Sequence, residues 1–190
     1  MKIESTKLPG LMLLTPKRHN DVRGNFFESW NRKTLLTAGI DMEFVQENQS
    51  LSIRSGTVRG LHFQAPPFAQ DKLVRCIRGS LFDVSVDIRR GSPTFGKWMG
   101  ITLSDENARQ VLIPKGFLHG YATRSPNTEI LYKCTNRYAP ETEQSIYFAD
   151  ADIAIEWGMD INEAILSEKD RQAMSIKEFQ SPFVFSNTLS

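Results

Sequence analysis

The stretch SLFDVSVDIRRG, residues 80–91, alternates in character along its length. In an extended chain successive side chains point to opposite sides, so Phe82, Val84, Val86 and Ile88 share one face and Leu81, Asp83, Ser85 and Asp87 the other. This period of two predicts a β-strand, ended by Gly91. In a solid barrel the apolar face packs the core. In a barrel that holds a ligand, polar residues point inward. The alternation leaves both arrangements open.

Similar runs lie on either side. Residues 43–53, 57–64, 71–79, 97–104, 109–116, 119–125, 129–136 and 144–150 read as short strands separated by Gly and Pro turns such as RSG, APP and SPTFG. Many short, evenly spaced strands predict an all-β sandwich or barrel. Helix signals sit near the two ends. Residues 31–40 offer Asn31 as an N-cap and Gly39 past the last turn, and 167–175 begin Ser167-x-x-Asp170, a capping-box pattern. At 190 residues the chain, 1–190, is expected to be one domain.

Composition narrows the function. A net charge of +1 argues against general attraction to nucleic acid or to an anionic membrane surface. No segment approaches the ~20 apolar residues of a membrane span. Glu4 interrupts the N-terminal stretch, which has no signal-peptide core. Cys76 and Cys134, 58 positions apart, match no metal spacing. Two free thiols in a reducing cytoplasm are expected.

The chain has three histidines, His19, His62 and His119. His62 lies between two apolar residues in RGLHFQ (59–64). It reads as a satisfied core histidine, a metal ligand or a base. A metal site would want companion ligands, and no second histidine stands at 60 or 64. A base would want an orienting carboxylate, and spacing cannot choose among the acids. His119, in IPKGFLHGYA, is either buried and hydrogen-bonded or a donor to a developing oxyanion. Lys72, which opens a strand, reads as a surface lysine. Tyr132 and Tyr138 read as packing, or as proton carriers in a polar cavity. In DVRGNFFESW (21–30) a turn leads into an extended strand on which Phe26, Glu28 and Trp30 share a face.

Together the segments DVRGNFFESW, FVQENQS, GTVRGLHFQ, AQDKLVRCIRGSLFDVSVDIRRGSPTFGKW, LIPKGFLHGYA, LYKCTNRYAPETE and LSEKDR resemble, in order, the dTDP-4-dehydrorhamnose 3,5-epimerases, from about residue 8 to 174. The resemblance implies a cupin-type jelly roll acting as a homodimer with neither metal nor cofactor. It implies a dTDP-4-keto-6-deoxy sugar as substrate, inverted at C3 and C5 by proton removal and return. It matches His62 to the base, Asp170 to its carboxylate partner, Tyr132 to the acid on the opposite face and Lys72 to the cation near the ketone oxygen. His119 matches a pocket residue, and Arg59, Arg23 and Lys169 match cations for the diphosphate. Glu28, Gln46, Glu47, Asn48, Phe26, Tyr138 and Glu143 match the lining of the nucleotide and sugar pocket, part of which the neighbouring subunit tends to supply. Relatives that invert only one centre share these blocks. A sugar-binding cupin without catalysis would need the arginines but neither Tyr132 nor His62.

Two details stand apart. Gln49 replaces an expected histidine, and 121–129 is less typical of the family. Arg59 and His62 have opposite parity on a flat strand, so both reach one pocket only if Gly60 bends the chain or the arginine curls over the rim.

Overall fold

The stretch 80–91 forms a strand over Ser80–Asp87, and the face that it turns inward is the polar one. The computed structural model describes residues 1–186. In chain order its elements are β1 (Lys2–Ser5), β2 (Met12–Thr15), β3 (His19–Asp21), β4 (Gly24–Phe26), α1 (Arg32–Thr37), β5 (Gln46–Ser52), β6 (Val58–Gln64), β7 (Lys72–Arg78) and β8 (Ser80–Asp87), followed by β9 (Trp98–Ser104), β10 (Gln110–Ile113), β11 (Phe117–Thr123), β12 (Thr128–Cys134), β13 (Glu143–Ser145) and α2 (Glu168–Arg171). One sheet runs β1-β2-β10-β7-β12-β5 and the other β13-β6-β11-β8-β9, with β3-β4 as a separate hairpin. The strands pair antiparallel, giving the cupin-type jelly roll that the strand series predicts.

Three apolar clusters explain why the polar face of β8 can look inward. Leu81, Val74, Leu103, Val111, Ile113 and Ile130 close the interior between the sheets. Val84, Val86 and Ile88 point out of the five-stranded sheet, where Phe148, Ile153, Trp157 and Phe183 cover them. On the outside of the six-stranded sheet, Leu35 and Ile40 pack on Leu14, Leu73 and Leu112. Each such buried side chain contributes about 1.5–3 kcal/mol relative to exposure. The C-terminal segment thus supplies the core that the apolar face of β8 needs, and Asp83, Ser85 and Asp87 are left for the interior. Asp87 is bound there by Arg89, Ser92 and Thr94 at 2.6–2.9 Å, and the Arg89 guanidinium lies over the Phe117 ring at 4.5 Å.

Several boundaries differ from expectation. The predicted helix at 31–40 narrows to α1, with Asn31 Oδ1 accepting from the Lys33 and Thr34 amides. The predicted helix at 167–175 is the single turn α2. The strand expected at 144–150 shortens to β13, and the one expected after Gly24 ends at Phe26. β1 and β2 carried no signal strong enough to be marked. Among the described residues no helix is long and apolar enough to cross a membrane. Cys76 and Cys134 are buried free thiols.

Candidate active site

A cavity of about 620 Å³ opens between the two sheets. β6 and β11 of the five-stranded sheet bring Arg59, His62, Gln64, His119 and Tyr121 to one wall. β5, β7 and β12 of the six-stranded sheet bring Gln46, Asn48, Ser50, Lys72, Ile130 and Tyr132 to the other. Tyr138, Glu143, Ser167 and Asp170 complete the lining.

Arg59 and His62 do share the pocket, by way of a bulge. His119 pairs with His62 and Tyr121 with Arg59, so two steps on β11 oppose three on β6. The extra residue restores the inward direction of both side chains. Gly60 suits that place, because its φ is +112° and an added Cβ would stand 2.6 Å from the His119 carbonyl oxygen. An arginine and a histidine of opposite parity therefore reach the same space.

His62 Nε2 lies 2.5 Å from Asp170 Oδ1. Asp170 is 3% exposed, and Ser167 Oγ donates to its other oxygen at 2.8 Å. Burial pushes the Asp170 carboxyl up, but the hydrogen bond and charge of His62, with Ser167 and Lys169, outweigh it and hold the group below the usual carboxylate range. An ionised carboxylate only accepts, so Nε2 carries the proton and the Nδ1 lone pair is the basic one.

The capping and dyad readings of Asp170 are both realised. Ser167 Oγ accepts from the Asp170 amide at 3.1 Å, capping α2, and the same hydroxyl orients the carboxylate toward His62. Asp170→Asn leaves the cap but removes the charge that fixes the tautomer. Its kcat is expected to fall by about 10²-fold or more with KM little changed, since a transition-state interaction is lost. Ser167→Ala is expected to cost about 1 kcal/mol in denaturant unfolding, the usual value of a lost cap. Steady-state kinetics and unfolding curves on the two variants separate the roles.

A second dyad was not foreseen. His119 Nε2 lies 2.8 Å from Asp83 Oδ2, and Asp83 is 1% exposed. The alternation of β8 marked Asp83 as facing one side but not which. Tyr121 and Ser50 also line the cavity, with their hydroxyl oxygens 3.0 Å apart. Neither had been singled out, because a tyrosine and a serine on strands carry no local signal of a cavity.

Burial pushes the Tyr132 phenol up to about 12, so it is a bound acid at neutral pH. Burial lowers the Lys72 ammonium, and the nearby Cys134, Glu143 and Asp83 oppose that fall. Lys72 is therefore an inward-facing residue of the cavity and not the surface lysine its letters suggested. Glu143 accepts from Tyr138 Oη at 2.8 Å and from the Lys169 ammonium. Burial raises its carboxyl, and these two partners more than compensate. Gln46 accepts from the Tyr138 amide and donates to Asn48, both at 2.9 Å.

Other expected site residues lie elsewhere in this chain. Lys169 lies outside the cavity lining and is paired with Glu143, which is part of it. Glu47 points to the outer face of β5, where it pairs with Lys133, because Gln46 and Asn48 take the inward direction on either side of it. Gln49 is outward too, donating to Glu129, so the departure from the expected histidine lies away from the cavity. Arg23 and Phe26 sit on the β3-β4 hairpin, Arg23 paired with Asp21 and Phe26 74% exposed. Glu28 accepts from Asn31 at 2.9 Å, outside the cavity. Among the described residues no cluster of three His, Cys, Asp or Glu side chains could hold a metal ion.

The sequence profile of a family described as dTDP-4-dehydrorhamnose 3,5-epimerase matches residues 5–178. The Salmonella typhimurium protein of that name is 51% identical over 158 residues, which cover 83% of this chain and 86% of that protein. A Legionella pneumophila 3,5-epimerase crystallised with dTDP-4-keto-L-rhamnose is 44% identical, with a TM-score of 0.89 over 94% of both chains. A Streptomyces bikiniensis 3'-monoepimerase, crystallised with dTDP, is 31% identical, with a TM-score of 0.86 over 92% of this chain and 87% of that one. The form crystallised has one histidine and one tyrosine replaced, 70 positions apart. His62 and Tyr132 are also 70 positions apart.

Proposed function

The chain belongs to the dTDP-4-dehydrorhamnose 3,5-epimerase family, and we propose that it inverts C3 and C5 of dTDP-4-keto-6-deoxyglucose, using His62 as base and Tyr132 as acid. The observation that carries the assignment is their placement. A histidine whose Nδ1 is free to act as a base stands on one wall of the cavity, and a phenol held in its acid form stands on the other.

The C4 ketone makes the hydrogens on C3 and C5 acidic, because the electron pair left behind spreads onto the ketone oxygen as an enolate. His62 Nδ1 takes the proton from one face. Tyr132 returns one from the opposite face, and the centre is inverted. The Lys72 ammonium, on the Tyr132 wall, supports the negative charge on the enolate oxygen. No electrons are transferred, so acid, base and cation suffice. Arg59 supplies a guanidinium for the diphosphate. Gln46, Asn48, His119, Tyr138 and Glu143 hold the sugar and nucleotide, with Lys169 fixing Glu143.

The exposed hairpin suits a homodimer in which Arg23 and Phe26, with Glu28 behind them, reach the partner's cavity. Val22, fully exposed, and Phe26, 74% exposed, put two apolar side chains on one small hairpin, the kind of grouped apolar surface that interaction sites carry. Sedimentation is expected to give twice the chain mass, and Arg23→Ala with Phe26→Ala to raise KM by about tenfold with kcat kept, as loss of uniform binding requires. The whole chain, 1–190, acts as one domain in this reading. The two buried free thiols support a reducing, cytoplasmic setting.

Solvent exchange tests the function. With dTDP-4-keto-6-deoxyglucose in D₂O, deuterium is expected at both C3 and C5 of the product by NMR. Label at C3 alone assigns a monoepimerase, and none at either carbon refutes the reading.

A further inference from the structure

Ser145 is 9% exposed, and its buried Oγ has no hydrogen-bond partner among the described residues. β13 places it directly opposite His62. The neighbouring pair, Leu61 and Ile146, exchanges both backbone hydrogen bonds, at 3.2 and 3.0 Å. In an antiparallel ladder the pair beside such a pair is the narrow, non-hydrogen-bonded kind, whose side chains share a face and approach most closely. The Ser145 hydroxyl is therefore set beside the Cβ end of the imidazole, the end that carries Nδ1 and Cδ2. Nε2, at the far end, is committed to Asp170.

The proposed reaction loads a proton onto His62 Nδ1 at each inversion. Asp170 cannot steady that proton, because it already holds the other nitrogen. We propose that Ser145 is a positioning residue for His62, and that its Oγ turns to accept the Nδ1–H of the imidazolium formed when the base takes the substrate proton. Rotation among the staggered positions of a serine hydroxyl is enough to bring the oxygen round. No further bond is made or broken. The hydroxyl keeps its own hydrogen, and the imidazolium gains an acceptor that holds the ring still while the enolate is reprotonated from the Tyr132 side. This inference rests on the epimerase reading for its purpose, but the contact itself is independent of it.

The ligand-free protein provides the test. With the imidazole doubly protonated, ¹H–¹⁵N spectra are expected to show an Nδ1–H of His62 slow to exchange with water. Ser145→Ala is expected to lose that resonance and Ser145→Thr to regain it. Ser85→Ala serves as the control, because Ser85 stands opposite His119, is 1% exposed and is equally unpartnered among the described residues. It should leave the His62 signal as it was. In turnover, Ser145→Ala is expected to lower kcat by about tenfold, the lower end for a hydrogen bond to a charged group, with the Kd for dTDP unchanged. A wild-type Nδ1–H in fast exchange, or a signal kept in Ser145→Ala, overturns the proposal. A protected signal in a protein that exchanges no deuterium into the sugar would sink the epimerase reading and leave this contact standing.

Discussion

His62→Ala is expected to abolish deuterium uptake at both C3 and C5, with kcat reduced by about 10³-fold, within the range that a general base contributes. Both positions should fail together. The two acidic C–H bonds flank one ketone, and of the two histidine–carboxylate dyads among the described residues the His62 dyad is the more exposed. His62 keeps 25% of its side chain exposed, while His119, with its own carboxylate, keeps 10%. The more buried imidazole is better placed to donate to a sugar oxygen than to meet a C–H. The affinity for dTDP should survive in His62→Ala, since the arginines proposed to neutralise the diphosphate are untouched. NMR of recovered sugar after long incubation checks the result. Label at C5 but not C3 in the variant would show that a second base serves one centre, and His119 with Asp83 would be the group to replace next.

How far such reasoning could go from the letters alone is seen in β8 and β6. The alternation in 80–91 identified a strand but could not orient it. Its orientation is decided by Phe148, Ile153 and Trp157, 60 or more positions from the residues that they cover on one face. The same limit hid the partner of His62. Asp170 is 108 positions from it, and the choice among 22 acidic residues is made by the fold. The shared pocket of Arg59 and His62 needed a bulge, which a flat-strand count cannot contain. Glu47 shows the reverse error. It lies between two pocket residues in sequence, and the same alternation that turns Gln46 and Asn48 inward turns it out. β1 and β2 escaped notice because four residues, KIES and MLLT, are too few to establish a period. The ordered blocks supplied what periodicity could not, since they tie distant residues to one another without passing through geometry.

Tyr132→Phe should separate proton removal from inversion. Conversion to the epimerised sugar is expected to fall by about 10²–10⁴-fold, the range of a lost general acid. His62 still removes the proton and returns one to the same face, so deuterium should enter recovered, uninverted substrate. Stranded exchange of this kind cannot come from a merely misfolded variant, which would exchange nothing. The pH dependence has a definite sign. The phenol is neutral when protonated and is pushed up to about 12, so the acid form persists through the ordinary tyrosine range, and inversion that depends on it is lost only as pH rises toward the raised value. A wild-type profile that declined near the unperturbed tyrosine value of about 10, and kept that decline in Lys72→Arg, would show that the working acid is not this phenol; the Lys72 ammonium, which burial lowers, titrates toward the same range and must be separated from it. Efficient inversion in Tyr132→Phe would lead to the same conclusion, and Tyr121, with its hydroxyl oxygen 3.0 Å from Ser50 Oγ in the same cavity, would then be the donor to test. Exchange without inversion in Tyr132→Phe, and neither in His62→Ala, would assign removal and return of the proton to opposite walls of the cavity, which is the physical requirement for inverting a carbon and not merely exchanging its hydrogen.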